Sequence, residues 1–320
     1  RKQLIILCSS KTILSQHNSQ CIDCFPQDAS TCASAIQWCG ETHALSLGHI
    51  IYDHILCHSY IHGHVHMESL LMNMYVKCGS IQDAICIFHH MHHPCVFAFN
   101  YTIKIYANQG KEEKAFALFN QMSECGVSPN QVTYTAILSM LFKIKDGVQV
   151  GKKLHVYIRF YGSFNNDVIL GTSLLNMYGK CGQSSLATVV FRTMPCPDDV
   201  AWTAMMASFS HNDLGKEALD VFYMMLHRGI KADVVTYVCA LNACSSFGVV
   251  NEGKEIHSAV VELQLETNHV ICSALVDMYG KCGSLSDARC IFGNMSYHDP
   301  VTWTIMICSY AKNHENDEAL

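Results

Sequence analysis

Charged residues are few in this chain, 15% of 320, and Lys plus Arg (21) are outnumbered by Asp plus Glu (27), for a net charge of −6 at pH 7. That shortage of cations excludes indiscriminate phosphate binding of the histone kind, which needs many neutralising contacts at once. Any nucleic-acid affinity has to come from locally placed groups. Long apolar runs are missing too: none approaches the roughly 18 residues of a membrane span, so no membrane partner is expected. Catalytic signatures are also missing. There is no Gly-rich phosphate loop, no Gly-x-Ser-x-Gly elbow, no His-Glu-x-x-His, and no His-x-Glu joined to Pro-Cys-x-x-Cys, the deaminase combination. No enzyme activity, cofactor or metal is expected from these residues. Apolar residues, by contrast, make up 50% of the chain, enough to offset ordering entropy and exclude disorder. The 18 cysteines are spread along the chain instead of forming a short disulfide scaffold, and are expected to be reduced and mostly buried.

The chain starts at Arg1 without a methionine and stops at Leu320 inside a repeating unit, so it reads as a fragment whose lack of a targeting peptide carries no meaning. The apolar stretch 4–7 is too short for a signal sequence.

Self-comparison exposes a repeat. Residues 71–80, 174–182 and 275–284 share Met-Tyr-x-Lys-Cys-Gly, with cysteines at 78, 181 and 282, spaced 103 and 101 residues apart. Within each copy Leu71, Met74, Tyr75 and Cys78, and their counterparts Leu174, Met177, Tyr178, Cys181 and Leu275, Met278, Tyr279, Cys282, recur at i, i+3, i+4 and i+7. That is one face of an amphipathic helix. Gly79, Gly182 and Gly283 follow, where a left-handed residue ends a helix. A second stripe comes next: Ala84, Ile87, Phe88, Met91; Ala187, Val190, Phe191, Met194; Ala288, Ile291, Phe292, Met295. The same stripe recurs at Ala115, Leu118, Phe119, Met122 and at Ala218, Val221, Phe222, Met225. Pro94, Pro129, Pro195, Pro197 and Pro300 fall at the handovers between hairpins, and Pro26 precedes the first.

These landmarks predict helical hairpins over 29–64, 65–95, 96–130, 131–167, 168–198, 199–233, 234–268 and 269–299, a truncated one over 300–320, and an N-terminal remnant or degenerate repeat over 1–28. Hairpins this short cannot bury a core alone, so they must stack on one another as an all-α solenoid. Their lengths run 36, 31, 35, 37, 31, 35, 35 and 31 residues. A tetratricopeptide array has a constant period of about 34, which the cycling disfavours.

The alternation resembles the PLS class of plant pentatricopeptide repeat (PPR) proteins. The 31-residue S signature is met by Met-Tyr-x-Lys-Cys-Gly. The L signature is met by Gly151-Lys152-Lys153-Leu154-His155 and Gly253-Lys254-Glu255-Ile256-His257, and the P signature by Val200-Ala201-Trp202-Thr203 and Val301-Thr302-Trp303-Thr304. The likeness covers about 29–320 and implies a right-handed α-solenoid of helix-turn-helix PPR hairpins, with L repeats at 29, 131 and 234, S repeats at 65, 168 and 269, and P repeats at 96, 199 and 300. It further implies one-base-per-repeat recognition of single-stranded RNA. In that scheme the fifth and last residues of a repeat read the Watson–Crick edge, and an apolar second residue sandwiches the base. Asp only accepts hydrogen bonds, which suits the imino N–H of guanine or uracil, whereas Asn can donate to the ring acceptor of adenine or cytosine.

Carried over residue by residue, Asn100 with Asn130 implies a pyrimidine, cytosine above uracil. Thr172 with Asp198, Thr203 with Asp233, and Ser273 with Asp299 imply guanine; Thr304 implies a purine. From the unit at 29 the readout is 5′-N-N-Y-N-G-G-N-G-R-3′. Ala33 with His64 and Ser69 with Cys95 fit no code, and Val238 with Asn268 codes poorly. Phe97, Val132, Ile169, Val200, Val235, Val270 and Val301 hold the second places, either as stacking wedges or as helix N-terminal packing. Lys77, Lys180, Lys281 and Lys312 hold the thirteenth, either as a ladder of phosphate contacts or as charges complementing a helix C-terminus.

Other clusters are weaker signals. His54, Cys57, His58, His62, His64, His66, His89, His90, His92 and His93 crowd the first units, and Cys21-x-x-Cys24 is half of a zinc ribbon whose second half is missing. His155 and His257 are expected to be packed or capping, and Cys78, Cys181 and Cys282 to be inaccessible. The resemblance implies an organellar transcript as partner, in mitochondrion or chloroplast, for C-to-U editing or processing, with editing cofactor proteins as further partners; proteins of that class often carry a deaminase domain after the repeats, and none is predicted from these residues. The alternatives are a helical scaffold for protein–protein interaction, or a decayed gene copy that binds nothing well.

Overall fold

The computed structural model describes residues 29–57, 65–91, 93–160 and 167–315. The expectations placed on residues 1–28, on His58, His62, His64 and His92, and on Cys21 and Cys24 lie outside them. All regular elements among the described residues are helical. They are α1 (Ala29–Thr42), α2 (Leu45–Cys57), α3 (Val65–Lys77), α4 (Ile81–His90), α5 (Val96–Asn108), α6 (Glu112–Glu124), α7 (Gln131–Leu138), a 3₁₀ turn (Leu141–Lys143), α8 (Gly147–Phe160), α9 (Val168–Lys180), α10 (Ser184–Thr193), α11 (Asp199–His211), α12 (Gly215–His227), α13 (Val234–Phe247), α14 (Val250–Glu262), α15 (His269–Lys281), α16 (Leu285–Asn294) and α17 (Pro300–Lys312). The chain divides into two compact units, 1–137 and 138–320.

In the second unit α9, α11, α13, α15 and α17 stack side by side as one row, and α10, α12, α14 and α16 pack along it as the other. In the first unit α1 packs on α3, and each hairpin closes on itself as α1·α2, α3·α4 and α5·α6. This is the α-solenoid class expected of the repeat. The cause is local: Leu71, Met74, Tyr75, Leu174, Met177, Tyr178, Leu275, Met278 and Tyr279 are all buried, so the stripe that defines each first helix is its contact face. Gly79, Gly182 and Gly283 take φ of 78°, 74° and 81°, the left-handed turn that ends each S-type first helix.

One hairpin departs from helix-turn-helix. The first helix from 131 stops at Leu138 and the chain tightens into the 3₁₀ turn that packs on α8. Gly147 permits this, because a Cβ there would lie 1.8 Å from the Leu141 carbonyl oxygen.

The cysteine expectation needs correcting. Among the described residues only Cys32, Cys39, Cys244 and Cys272 are buried, while Cys86, Cys125, Cys196, Cys290 and Cys308 are exposed. Cys86 and Cys290, for example, sit on second helices but off the buried i, i+3, i+4 stripe. Cys78, Cys181 and Cys282 are half-buried, not inaccessible, and burial pushes their thiols up, which keeps them protonated and poor nucleophiles. Among the described residues no group of three His, Cys, Asp or Glu side chains is placed to hold a metal ion, and no helix is long and apolar enough to cross a membrane.

The L-type histidines have a definite place. His155 Nδ1 lies 3.1 Å from the Tyr178 hydroxyl and His257 Nδ1 lies 2.9 Å from that of Tyr279. His49 repeats the contact with Tyr75 at 3.1 Å. Burial lowers the pKa of His155 and His257 and pushes the Tyr178 and Tyr279 phenols up to about 12, so the ring accepts from the phenol in its neutral form. With the folded pKa below the unfolded 6.5, the unfolded chain takes up protons first as pH falls. Stability is therefore expected to decline from pH 7 to pH 5. The double variant His155→Gln/His257→Gln keeps a partner for each phenol without titrating, and its melting temperature should drop less than the native chain's over that interval. Parallel pH profiles would remove these two histidines as the cause.

Candidate nucleic-acid interface

The last residue of each hairpin is also the residue before the next first helix, and that position carries Asp or Asn along most of the chain. Such a side chain caps the helix by accepting from an unpaired backbone N–H. Asp198 Oδ1 accepts from Ala201 N at 2.8 Å, Asp233 Oδ1 from Thr236 N at 2.8 Å, and Asp299 Oδ1 from Thr302 N at 2.7 Å. Asn130 Oδ1 accepts from Thr133 N at 3.1 Å, Asp167 Oδ1 from Leu170 N at 3.1 Å, and Asn268 Oδ1 from Val270 N at 3.0 Å. Capping fixes the rotamer. It also settles which way the two asparagine amides face, because the capped N–H needs the oxygen.

The fifth residue stands one turn into the preceding first helix. Because consecutive first helices stack, it meets the cap roughly thirty residues later. Asn100 Nδ2 donates to Asn130 Oδ1 at 2.9 Å. The Thr203 and Thr236 hydroxyls are 2.9 Å apart, as are those of Ser273 and Thr302. Thr236 Oγ1 in turn donates to Asp233 Oδ1 at 2.6 Å and Thr302 Oγ1 to Asp299 Oδ1 at 2.7 Å. Thr133 Oγ1 does the same with Asn100 Oδ1 at 2.5 Å. Three of the pairs singled out in the sequence are thus joined through one buried threonine.

Those threonines, Thr133, Thr236 and Thr302, all 0% exposed, went unassigned in the sequence. The available signal was their recurrence at the third place of the following repeat. The fourth pair lacks the bridge: Ala201 occupies that place after Asp198, and the buried Thr172 hydroxyl has no hydrogen-bond partner. Thr304 is exposed and its hydroxyl donates back to Pro300 O at 2.7 Å. Ser69 and Cys95 meet at 3.3 Å through oxygen and sulfur.

Every side-chain hydrogen bond of the three aspartates falls on Oδ1, and among the described residues Oδ2 of Asp198, Asp233 and Asp299 takes none. Asn130 Nδ2 likewise donates to nothing among them. The Thr236 hydroxyl above all, and then backbone N–H groups, hold the Asp233 carboxyl below its ordinary 3.8, and Thr302 does the same for Asp299. Both remain anionic acceptors at neutral pH. Each pair therefore offers one engaged atom and one unengaged atom, an acceptor for Asp and a donor for Asn.

The second-place residues are apolar and yet exposed: Phe97 38%, Val132 52%, Ile169 56%, Val200 58%, Val235 55%, Val270 56% and Val301 62%. Phe97 is the most covered, with its ring 5.1 Å from that of Tyr101, and the others keep half or more of their surface in water. The thirteenth-place lysines are exposed in the last helical turns. Two have neighbours: Lys281 Nζ pairs with Asp277 at 2.6 Å, and Lys180 Nζ sits 4.8 Å from the Phe142 ring centroid. Lys77 and Lys312 have no ion-pair partner among the described residues. The four lysines are therefore uneven in available charge.

Comparison with known proteins agrees with the repeat architecture. The family model described as "PPR repeat family" matches residues 94–143 and 197–246, and that described as "PPR repeat" matches 69–93, 172–196, 270–299 and 301–320. A pentatricopeptide repeat-containing protein of Arabidopsis thaliana is 34% identical over 255 residues, 80% of this chain and 37% of that protein. A mitochondrial one from the same plant is 30% identical over 92% of this chain and 46% of its own length. A chloroplastic one is 32% identical over 88% and 53%. The chain thus spans about half or less of the length of these relatives. Among solved structures, the pentatricopeptide repeat protein PPR10 from maize superposes with a TM-score of 0.70 at 20% identity, covering 92% of this chain and 43% of that one. PPR10 in complex with an 18-nt psaJ RNA element gives 0.76 at 17%, covering 99% and 47%. With repeat matches reaching from residue 69 to residue 320 on tandem helical hairpins, this chain belongs to the pentatricopeptide repeat family.

Proposed function

We propose that this chain reads single-stranded RNA, one base per repeat, with Y-N-G-G-N-G-R as its coded stretch from the unit at 96 onward. The observation that carries the reading is the convergence of fifth and last residues on one cap, with Oδ2 of Asp233 and Asp299 and Nδ2 of Asn130 left for a base edge. An apolar second residue beside each cap supplies the face on which an unstacked base rests. Repeats bounded at 95, 130, 167, 198, 233, 268 and 299 put each cap at the end of its unit. The RNA bound to PPR10 supports the same use of the fold.

The mitochondrial and chloroplastic relatives support an organellar transcript as target. Specifying a site for C-to-U editing or processing, with editing cofactor proteins recruited alongside, is the role we assign to the whole protein. This chain's part is binding.

Fluorescence anisotropy at fixed salt tests it, comparing an oligomer carrying Y-N-G-G-N-G-R with one whose guanines are adenines. A mismatched base costs about 1–3 kcal/mol, so the dissociation constants should differ at least tenfold. Equal and strongly salt-dependent binding would leave only backbone attraction. Absence of binding would turn attention to a protein-binding scaffold or a decayed array.

A further inference from the structure

We infer that the third residue of the following repeat, where it is a threonine as at Thr133, Thr236 and Thr302, is a further specificity-determining, positioning residue: its hydroxyl sets whether the fifth residue of the preceding repeat faces a base as donor or acceptor. The inference rests on the RNA-reading role proposed above.

Hydrogen counting carries it. A threonine hydroxyl has one hydrogen to give and two lone pairs to receive. At the cap of α13, Thr236 gives its hydrogen to Asp233 Oδ1 at 2.6 Å, so toward Thr203, 2.9 Å away, it can only accept. Thr203 has one hydrogen, taken either by Thr236 or by the Asp199 carbonyl at 3.0 Å. Were the carbonyl to take it, two oxygen lone pairs would face each other across 2.9 Å, so Thr236 is the acceptor and Thr203 has only a lone pair left to present. The same count holds at Ser273, between Thr302 at 2.9 Å and the His269 carbonyl at 2.9 Å, with Thr302 committed to Asp299 at 2.7 Å. Each of these sites is then an all-acceptor edge. Guanine meets it with its N1–H and exocyclic amine, whereas the N1 lone pair of adenine is repelled.

At the cap of α7 the count runs the other way. Thr133 lies 2.5 Å from Asn100 Oδ1 as donor and Asn100 Nδ2 gives one hydrogen to Asn130 Oδ1 at 2.9 Å. What remains is the second hydrogen of Asn100 Nδ2 and both of Asn130 Nδ2. This all-donor edge fits the O2 and N3 acceptors of cytosine and conflicts with the N3–H of uracil.

The site of Thr172 and Asp198 is the natural control. Ala201 provides no hydroxyl, and Thr172 Oγ1 is buried without a partner. Its hydrogen is uncommitted, so this site can offer either polarity beside the Asp198 acceptor. It should discriminate guanine from adenine less well than the otherwise identical Thr-and-Asp pair at Thr203 and Asp233.

The test measures guanine-over-adenine preference at each register separately, by anisotropy with single-base RNA variants, in the native chain and in Ala201→Thr, Thr236→Val and Thr236→Ser. Ala201→Thr should raise the preference opposite Thr172 and Asp198 by roughly three- to tenfold, the range of one hydrogen bond, and leave the neighbouring register alone. Thr236→Val should lower the preference opposite Thr203 and Asp233 by a similar factor, and Thr236→Ser should restore it. Circular dichroism checks that helix content is unchanged, and Ala201→Thr answers the question even where Thr236→Val folds poorly. Base preferences that stay put in variants still binding the coded RNA would overturn the inference while leaving the RNA-reading role intact. Failure of the native chain to bind the coded RNA would overturn both.

Discussion

Asp233→Asn is expected to turn the preference at a single base from guanine to adenine while leaving the fold and the other registers untouched. Asn and Asp cap helices about equally well, so the bond from Thr236 N at 2.8 Å survives through the amide oxygen. What changes is the atom not used by the cap: Oδ2, an acceptor for the guanine N1–H, becomes Nδ2, a donor for adenine N1. Each wrong base costs about 1–3 kcal/mol, and the substitution both removes one penalty and creates another. The ratio of the two affinities should swing by roughly a hundredfold, with an end-point at least tenfold in favour of adenine. Losing one negative charge raises affinity for every RNA alike, which is why the ratio is the readout. Asp233→Ala gives the contrast: no cap, about 1 kcal/mol less stability, and no preference at that base. Should Asp233→Asn bind guanine and adenine in the native ratio, the cap position does not touch the base.

The largest effect on stability is expected from Trp202→Ala. The indole of this P-signature residue is 1% exposed on α11, with the Phe191 ring edge-on at 4.8 Å and the Arg228 guanidinium 5.1 Å from the ring centroid. Removing a buried tryptophan leaves a cavity and costs about 3–5 kcal/mol. The matching residue Trp303 is in van der Waals range of Phe292, with centroids 4.8 Å apart, yet 52% exposed. Its substitution by alanine should cost no more than about half as much, since half its surface is already in water. Urea denaturation followed by circular dichroism compares the two variants. In a solenoid each repeat is held by its neighbours, so Trp202→Ala should also broaden the transition. Equal losses from the two substitutions would refute the burial argument.

The helices were legible in the sequence because their cause is local. Leu71, Met74, Tyr75 and the equivalent triplets mark a contact face by spacing alone, and Gly79, Gly182 and Gly283 mark the ends with a backbone conformation glycine adopts freely. The 3₁₀ turn at Leu141–Lys143 was not legible, since it depends on the approach of Gly147 to the Leu141 carbonyl. The cysteines misled for a related reason: composition says what a thiol prefers, whereas Cys86 and Cys290 are exposed because of where they fall around a helix.

What the sequence by itself determined is the repeat, the hairpin, the solenoid class and the family, along with which residues hold the fifth, last, second and thirteenth places. The repeat, hairpin and solenoid follow from periodicity within some thirty-five residues, and the family and the places follow from the motifs that carry the resemblance. Which polar atoms each site keeps for a partner was decided only by tertiary structure. Thr236 sits thirty-three residues from Thr203 and three from Asp233, and its one hydrogen serves only one of them. That allocation exists only once neighbouring first helices have stacked. The same stacking leaves Val200 and Val301 in water while burying Trp202, a division that depends on which side of the row of first helices each side chain faces.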